Sequence, residues 1–138
     1  MRRNLPLSDL ADFLALPIVA VLATYRRDGG VLLSPVWHQW RDGGFDVLCS
    51  PDDLKVRHLR RDPRASILVY GNDLPYRGVE LRTTAQLHDI DRADFVLEMA
   101  IRYLGEEAGA AYAEGSSDSV LVRLEPGDVR TWDFADEL

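Results

Sequence analysis

The sequence predicts an α+β fold in which six or seven short antiparallel strands close into a small β-barrel, with short helices at its ends. Three observations carry this. Two turn signals with the same Arg-Asp-Gly-Gly core, at 27–30 and 41–44, bracket an apolar stretch, as strands joined by hairpins do. Residues 76–88 alternate: Val79, Leu81, Thr83, Ala85 and Leu87 share one face, and Glu80, Arg82, Thr84, Gln86 and His88 the other. Val96, Met99, Ala100, Tyr103 and Leu104 then follow helical spacing.

In chain order, Ser8 opens a short helix that packs Leu10, Phe13 and Leu14 and stops at Pro17. Residues 18–24 are an apolar, β-branched-rich run, as expected of a strand buried on both faces. A second strand fills 31–40 between the two turns, and a third contains Phe45 and Cys49. Ser50 reads as an N-cap, Pro51 as the first helical residue and Asp53 as the acid of a capping box. A short basic helix therefore starts there and ends at Asp62-Pro63. A strand at 64–70, a loop at 71–75 and the long alternating strand follow. Asp91 is placed to cap a helix from Arg92 to Leu104, which Gly105 ends. Residues 106–113 allow another helical turn or two, and 114–118 read as a loop. Strands at 119–124 and 129–134 flank the turn Glu125-Pro126-Gly127-Asp128.

At 138 residues the chain is expected to be a single domain spanning 1–138. A net charge of −7 argues against a nucleic-acid binder that lives on backbone phosphates, and against a small barrel reading single strands by aromatic stacking. The longest apolar stretch, 14–25, is too short to span a bilayer, and no signal peptide is evident. The cytoplasm is the default location. Cys49 is the only cysteine; it excludes an internal disulfide and reads as a small buried strand residue. His38, His58 and His88 are separated by a helix and several strands, and read as structural or exposed rather than as metal ligands. No nucleophile-elbow, P-loop or dinucleotide glycine motif occurs. A chain this poor in catalytic side chains, if an enzyme, works through a bound cofactor.

Two segments could carry chemistry. Lys55 is the only lysine among 16 Lys and Arg residues, and with Arg57 it stands near a helix N-terminus, where N–H groups and the helix dipole favour an anion. The same residues suit a phosphate site or a solvated basic helix. In the second strand, Pro35 marks an edge, a bulge or a bend, leaving the backbone around Ser34 and Val36 to meet a flat polar heterocycle or merely to shape the barrel. Pleating puts Leu33, Trp37 and Gln39 on one face and Ser34, Val36, His38 and Trp40 on the other, so the two tryptophans should not share a pocket.

The order of segments is informative. Leu22-Ala23-Thr24, Asp28-Gly29 and Ser34-Pro35-Val36-Trp37 come first. Lys55-Val56-Arg57-His58-Leu59-Arg60-Arg61-Asp62-Pro63-Arg64 and then Pro75-Tyr76-Arg77-Gly78-Val79-Glu80-Leu81-Arg82 follow. This succession, over about residues 8–134, resembles the pyridoxamine 5′-phosphate oxidase-like, FMN-binding split β-barrel family. It looks most like the branch that uses the deazaflavin coenzyme F-420 in place of FMN. The resemblance implies a homodimer with a cofactor in each groove between subunits, and hydride transfer with a small unsaturated organic substrate. By position, Lys55 and Arg57 would hold the cofactor's phosphate, and Ser50 would face it. Ser34, Pro35, Val36 and Trp37 would lie against the ring or its ribityl chain, and Arg77 would serve the cofactor or the dimer. No catalytic proton donor, metal, membrane or nucleic-acid partner is implied.

One departure stands out: Asp52-Asp53-Leu54 precede the lysine where the family commonly has small or basic residues. A carboxylate about 4 Å from a phosphate costs on the order of 4 kcal/mol at an effective dielectric near 20. Either the aspartates face solvent, or the phosphate lies to one side on Lys55 and Arg57, or the site is weak or lost. Arg60, Arg61 and Arg64 suit the acidic tail of the deazaflavin better than they suit FMN. The alternative to an enzyme is a protein that stores a flavin or deazaflavin without turnover.

Overall fold

The structure is a computed structural model that describes residues 1–90, 93–116 and 118–137. A half-barrel of curled antiparallel sheet carries four short α-helices. The strands are β1 (Arg2–Arg3), β2 (Ala20–Tyr25), β3 (Val31–Val36), β4 (His38–Arg41), β5 (Gly44–Cys49), β6 (Arg64–Tyr70), β7 (Arg77–Ile90), β8 (Ser119–Leu124) and β9 (Asp128–Asp133). The helices are α1 (Ala11–Leu14), α2 (Leu54–Arg61), α3 (Ala93–Leu104) and α4 (Glu106–Glu114). The main path runs β3-β2-β6-β7-β8-β5-β4, with β9 joined to β7 and to β1.

β7 holds the two halves together. Its residues 78–84 pair with β6 and 77–82 with β9, while 85–90 pair with β8. The expected alternation is what makes this possible. Val79, Leu81 and Ala85 are buried in the barrel core with Leu22, Phe45, Ile67, Val122 and Leu124, and the opposite face stays polar. α2 covers one end of that core with Val56 and Leu59.

Several expectations are corrected. The strand read at 18–24 is Ala20–Tyr25, buried on one face only: Ala20, Leu22 and Thr24 point inward and the residues between them are half-buried. The strand read across 31–40 breaks at Trp37 into β3, which pairs with β2, and β4, which pairs with β5. The break is stabilised from α3. The Tyr103 hydroxyl accepts the His38 N–H (2.9 Å) and donates to the Ile18 carbonyl (2.8 Å), while Arg102 Nε donates to the His38 carbonyl (2.9 Å). β3 is an edge strand, as Pro35 requires.

The basic helix starts later than its capping signals suggest. Ser50 through Asp53 form a turn, in which the Asp53 N–H donates to the Ser50 carbonyl and the Ser50 N–H to Asp53 Oδ2. Asp53 is itself the N-cap of α2, in an extended conformation and without a side-chain cap bond. In α3 the buried stripe includes Phe95, and Leu104 is 43% exposed instead. Asp91 and Arg92, expected to start that helix, lie outside the described residues. The last two strands flank their turn without pairing to each other, because they lie end to end along β7: β8 pairs with residues 85–90 and β9 with 77–82, and the register steps by one residue between them. The step is tight at Gly127, where a Cβ would stand 2.3 Å from the Arg82 carbonyl.

Candidate functional site

A cleft of about 630 Å³ opens beside the edge strand. Pro35 and Trp37, from the β3–β4 corner, form one wall with Leu48, Cys49 and Ser50 at the end of β5. Val96 of α3, Tyr112 of α4, the residues leading into β8 and Asp53 complete the lining. The wall carries an aromatic stack: the Trp37 and Tyr103 rings are 5.1 Å apart and within 6° of parallel, and Tyr112 leans on Trp37 at 52° and 5.2 Å. Offset stacking at such distances is attractive. Because Tyr103 is anchored to Ile18 and His38, Trp37 is held as a rigid platform. Tyr103→Phe, which keeps the ring and deletes the anchoring hydroxyl, should cost about 1–2 kcal/mol of stability, measured by urea denaturation.

Lys55 sits at the Asp53 end. Its Nζ lies 3.1 Å from Asp53 Oδ2, which also accepts the Ser50 N–H at 2.9 Å. Ser50, Asp53 and Lys55 therefore form one connected group, and Asp52 is exposed beside it. Burial pushes the Cys49 thiol up to about 12, with the Lys55 charge opposing, so this thiol is inert at neutral pH. Arg57 is exposed and stands two residues on from Lys55, about 200° around the helix, so the two cations do not share a face.

The remaining expected residues are dispersed. Val36 is buried in the barrel core and Ser34 is half-buried opposite Leu22; of that quartet, Pro35 and Trp37 reach the cleft. Arg77 lies elsewhere: it pairs with Asp12 at 3.2 Å, covers the Phe13 ring at 5.1 Å, and borders a separate hollow with Tyr70 and Trp132. Trp40 packs on Phe45 in the core, apart from Trp37.

At the other end of α2 is a hollow of about 600 Å³ bordered by Arg26, Arg27, Arg61 and Arg64 together with Tyr25 and Asp62. Arg61 donates to the Tyr25 carbonyl, and Arg64 lies over the Tyr25 ring at 4.9 Å. The Arg64 guanidinium bonds Asp62 and pulls its carboxyl down to about 2. Four guanidiniums thus face one carboxylate, an arrangement that suits a multiply charged anion. Sequence reasoning took Arg26 and Arg27 only as turn residues and missed Tyr112; the signals were adjacent arginines at a hairpin tip and an aromatic without a core role. Among the described residues, no three His, Cys, Asp or Glu side chains gather as a metal-ligand set, and no helix is long and apolar enough to cross a membrane.

Comparison with solved structures places this geometry. The conserved hypothetical protein Rv2991 from Mycobacterium tuberculosis superposes with a TM-score of 0.76 at 26% identity, over 94% of this chain and 85% of that one. A protein described as an F420 reductase gives a TM-score of 0.69 at 23% identity, over 86% and 93%. The heme storage protein HutZ from Vibrio cholerae gives 0.69 at 18%, over 91% and 93%. The last two likenesses show the fold. Comparison with curated proteins gives no match. Residues 8–133 match the profile described as pyridoxamine 5′-phosphate oxidase. That match spans nearly the whole split barrel, and the chain belongs to the pyridoxamine 5′-phosphate oxidase family.

Proposed function

We propose that the chain is a homodimeric, cytoplasmic oxidoreductase that binds the deazaflavin coenzyme F-420, or alternatively FMN, and acts on a small unsaturated organic substrate. The observation that carries this is the pair of sites at the two ends of α2. Ser50 lines the cleft at one end, with Lys55 beside it on Asp53, and the arginine hollow opens at the other. At 1.5 Å per residue, Lys55 and Arg61 are about 9 Å apart along the helix, a span suited to a phosphate followed by an acidic tail. The donor set fits such a group: an ammonium and backbone N–H groups for the phosphate, guanidiniums for carboxylates, and an aromatic platform for a flat ring. When bound, the cofactor would supply the hydride chemistry. Trp37 would orient the ring and keep water from its face. Asp53 would yield Lys55 to the phosphate, its own charge then resting on the Ser50 N–H. The exposed apolar residues Val31 and Leu33 on the free β3 edge favour a partner subunit there.

The test is an absorption spectrum of protein incubated with each cofactor and then desalted, followed by titration of variants. Lys55→Ala should weaken both cofactors by about tenfold or more, the worth of one charge-assisted contact. Arg27→Ala or Arg61→Ala should weaken only the deazaflavin. Unchanged binding by Lys55→Ala would overturn the phosphate assignment. A second reading, a carrier without turnover, is favoured by the inert Cys49 and by the lack of any histidine lining the cleft among the described residues. It predicts saturable binding with no reduction across a panel of enones and quinones.

A further inference from the structure

The cleft and the arginine hollow differ in the sign of their charge. The cleft is lined by two carboxylates, Asp53 and Asp118, and by no lysine or arginine among the described residues. Asp53 is balanced by Lys55 at 3.1 Å, whereas Asp118 is exposed at the mouth. The aromatic wall acts in the same direction. The face of Tyr112 is electron-rich, and a cation resting on it is attracted while an anion is repelled. Tyr112 is 47% exposed, so its ring is available at the opening, and Trp37 behind it is fixed by Tyr103.

We infer that the cleft takes a planar ring substrate that is neutral or positively charged and rejects ring acids, with Asp118 setting the sign and Tyr112, exposed at the opening, setting the flatness, while Trp37 backs the cofactor ring. This assignment rests on the oxidoreductase reading proposed above, in which the cofactor ring lies on Trp37, and it names the class of molecule admitted beside that ring. The anionic parts of a bound cofactor belong outside it, at Lys55 and at the far end of α2. The division gives each end of the helix one kind of guest. A ring carrying a carboxylate would meet Asp118 without a compensating cation, and at an effective dielectric of about 40 and a separation of about 6 Å that repulsion is worth roughly tenfold in affinity.

The experiment uses cofactor-free full-length protein and three probes that share one bicyclic ring: N-methylquinolinium, quinoline and quinoline-2-carboxylate. Affinities are read from tryptophan fluorescence at low salt. The expected order is cation, then neutral ring, then acid, with cation and acid separated by about tenfold or more. Asp118→Asn should bring those two within about threefold. Tyr112→Ala should weaken all three probes, the cation most, and should narrow their ratio by less than Asp118→Asn does, since it removes stacking surface and an electron-rich face but no formal charge. Raising the salt to about 0.5 M should shrink the separation in the wild type and leave it unchanged in Asp118→Asn. Equal affinity for cation and acid, an unchanged ratio in Asp118→Asn, or no binding of any probe at millimolar concentration would each overturn the assignment. The two readings separate cleanly. Failure to bind deazaflavin or FMN with this selectivity intact removes the oxidoreductase and leaves the ring site; flavin binding without the selectivity removes only the substrate class.

Discussion

Replacing Arg123 with alanine is expected to lower the unfolding free energy by about 3–5 kcal/mol, because it strips a buried carboxylate of its main partner. Asp46 is fully buried on β5, with Oδ1 3.2 Å from Arg123 Nη1 and Oδ2 2.8 Å from Arg41 Nη2. The Arg41 side chain is 45% exposed, so that contact is shared with solvent. Arg123 is 8% exposed and also donates to the Arg41 and Asp42 carbonyls and to Glu125. It therefore satisfies the backbone of the β4–β5 hairpin as well as the acid. Cutting it away leaves an underpaired charge and two stranded carbonyls. Urea denaturation of the purified variant measures the loss. The double variant Arg123→Met, Asp46→Leu should regain most of it, since removing both charges removes the desolvation penalty too. A loss below about 1 kcal/mol for Arg123→Ala would show that Arg41 alone carries the pair.

Acidification should destabilise the fold through His38 by about 3 kcal/mol between pH 6.5 and 4. The ring is fully buried edge-on to Phe45, and neither nitrogen has a hydrogen-bond partner among the described residues. Burial, together with the nearby Arg102 charge, lowers its pKa to about 4. Unfolding restores the ordinary value near 6.5, so between those limits the unfolded chain binds a proton that the folded one refuses. Stability is accordingly full above pH 6.5, falls as pH drops toward 4, and loses nothing more from this group below that. Denaturation curves at pH 7 and 4.5 should differ less for His38→Leu than for wild type by about 2 kcal/mol. Parallel behaviour of the two proteins would mean that the ring is hydrated or paired in solution.

What the sequence could disclose was set by how local the cause was. β6 and β7 were legible because alternation is a property of consecutive residues, and it settles which face of Leu81 or Glu80 meets the core. The break at Trp37 was not. Its backbone groups are satisfied by Arg102 and Tyr103, about 65 residues later, and no pattern near Trp37 encodes that. The start of α2 differs for a related reason: Asp53 makes the acid's half of the expected capping box by accepting the Ser50 N–H, yet residues 50–53 close a turn and the helix begins only at Leu54. For the candidate site, Ser50, Pro35 and Trp37 line one cleft, and Lys55 stands at its end paired with Asp53. Arg57 and Arg77 do not join them, because helix phase and strand position, rather than sequence spacing, decide which cations meet.

The central position of β7 has a consequence for how the protein is made. Among the described residues β5 pairs with β4 and β8, so the hairpin has no sheet pairing to the rest until β8 is synthesised, some 70 residues after β5. Such long-range pairings close slowly. During translation the strands up to β7 can assemble while β4 and β5 wait, with apolar residues such as Phe45 and Val47 uncovered, and it is in that interval that a growing chain most needs a chaperone.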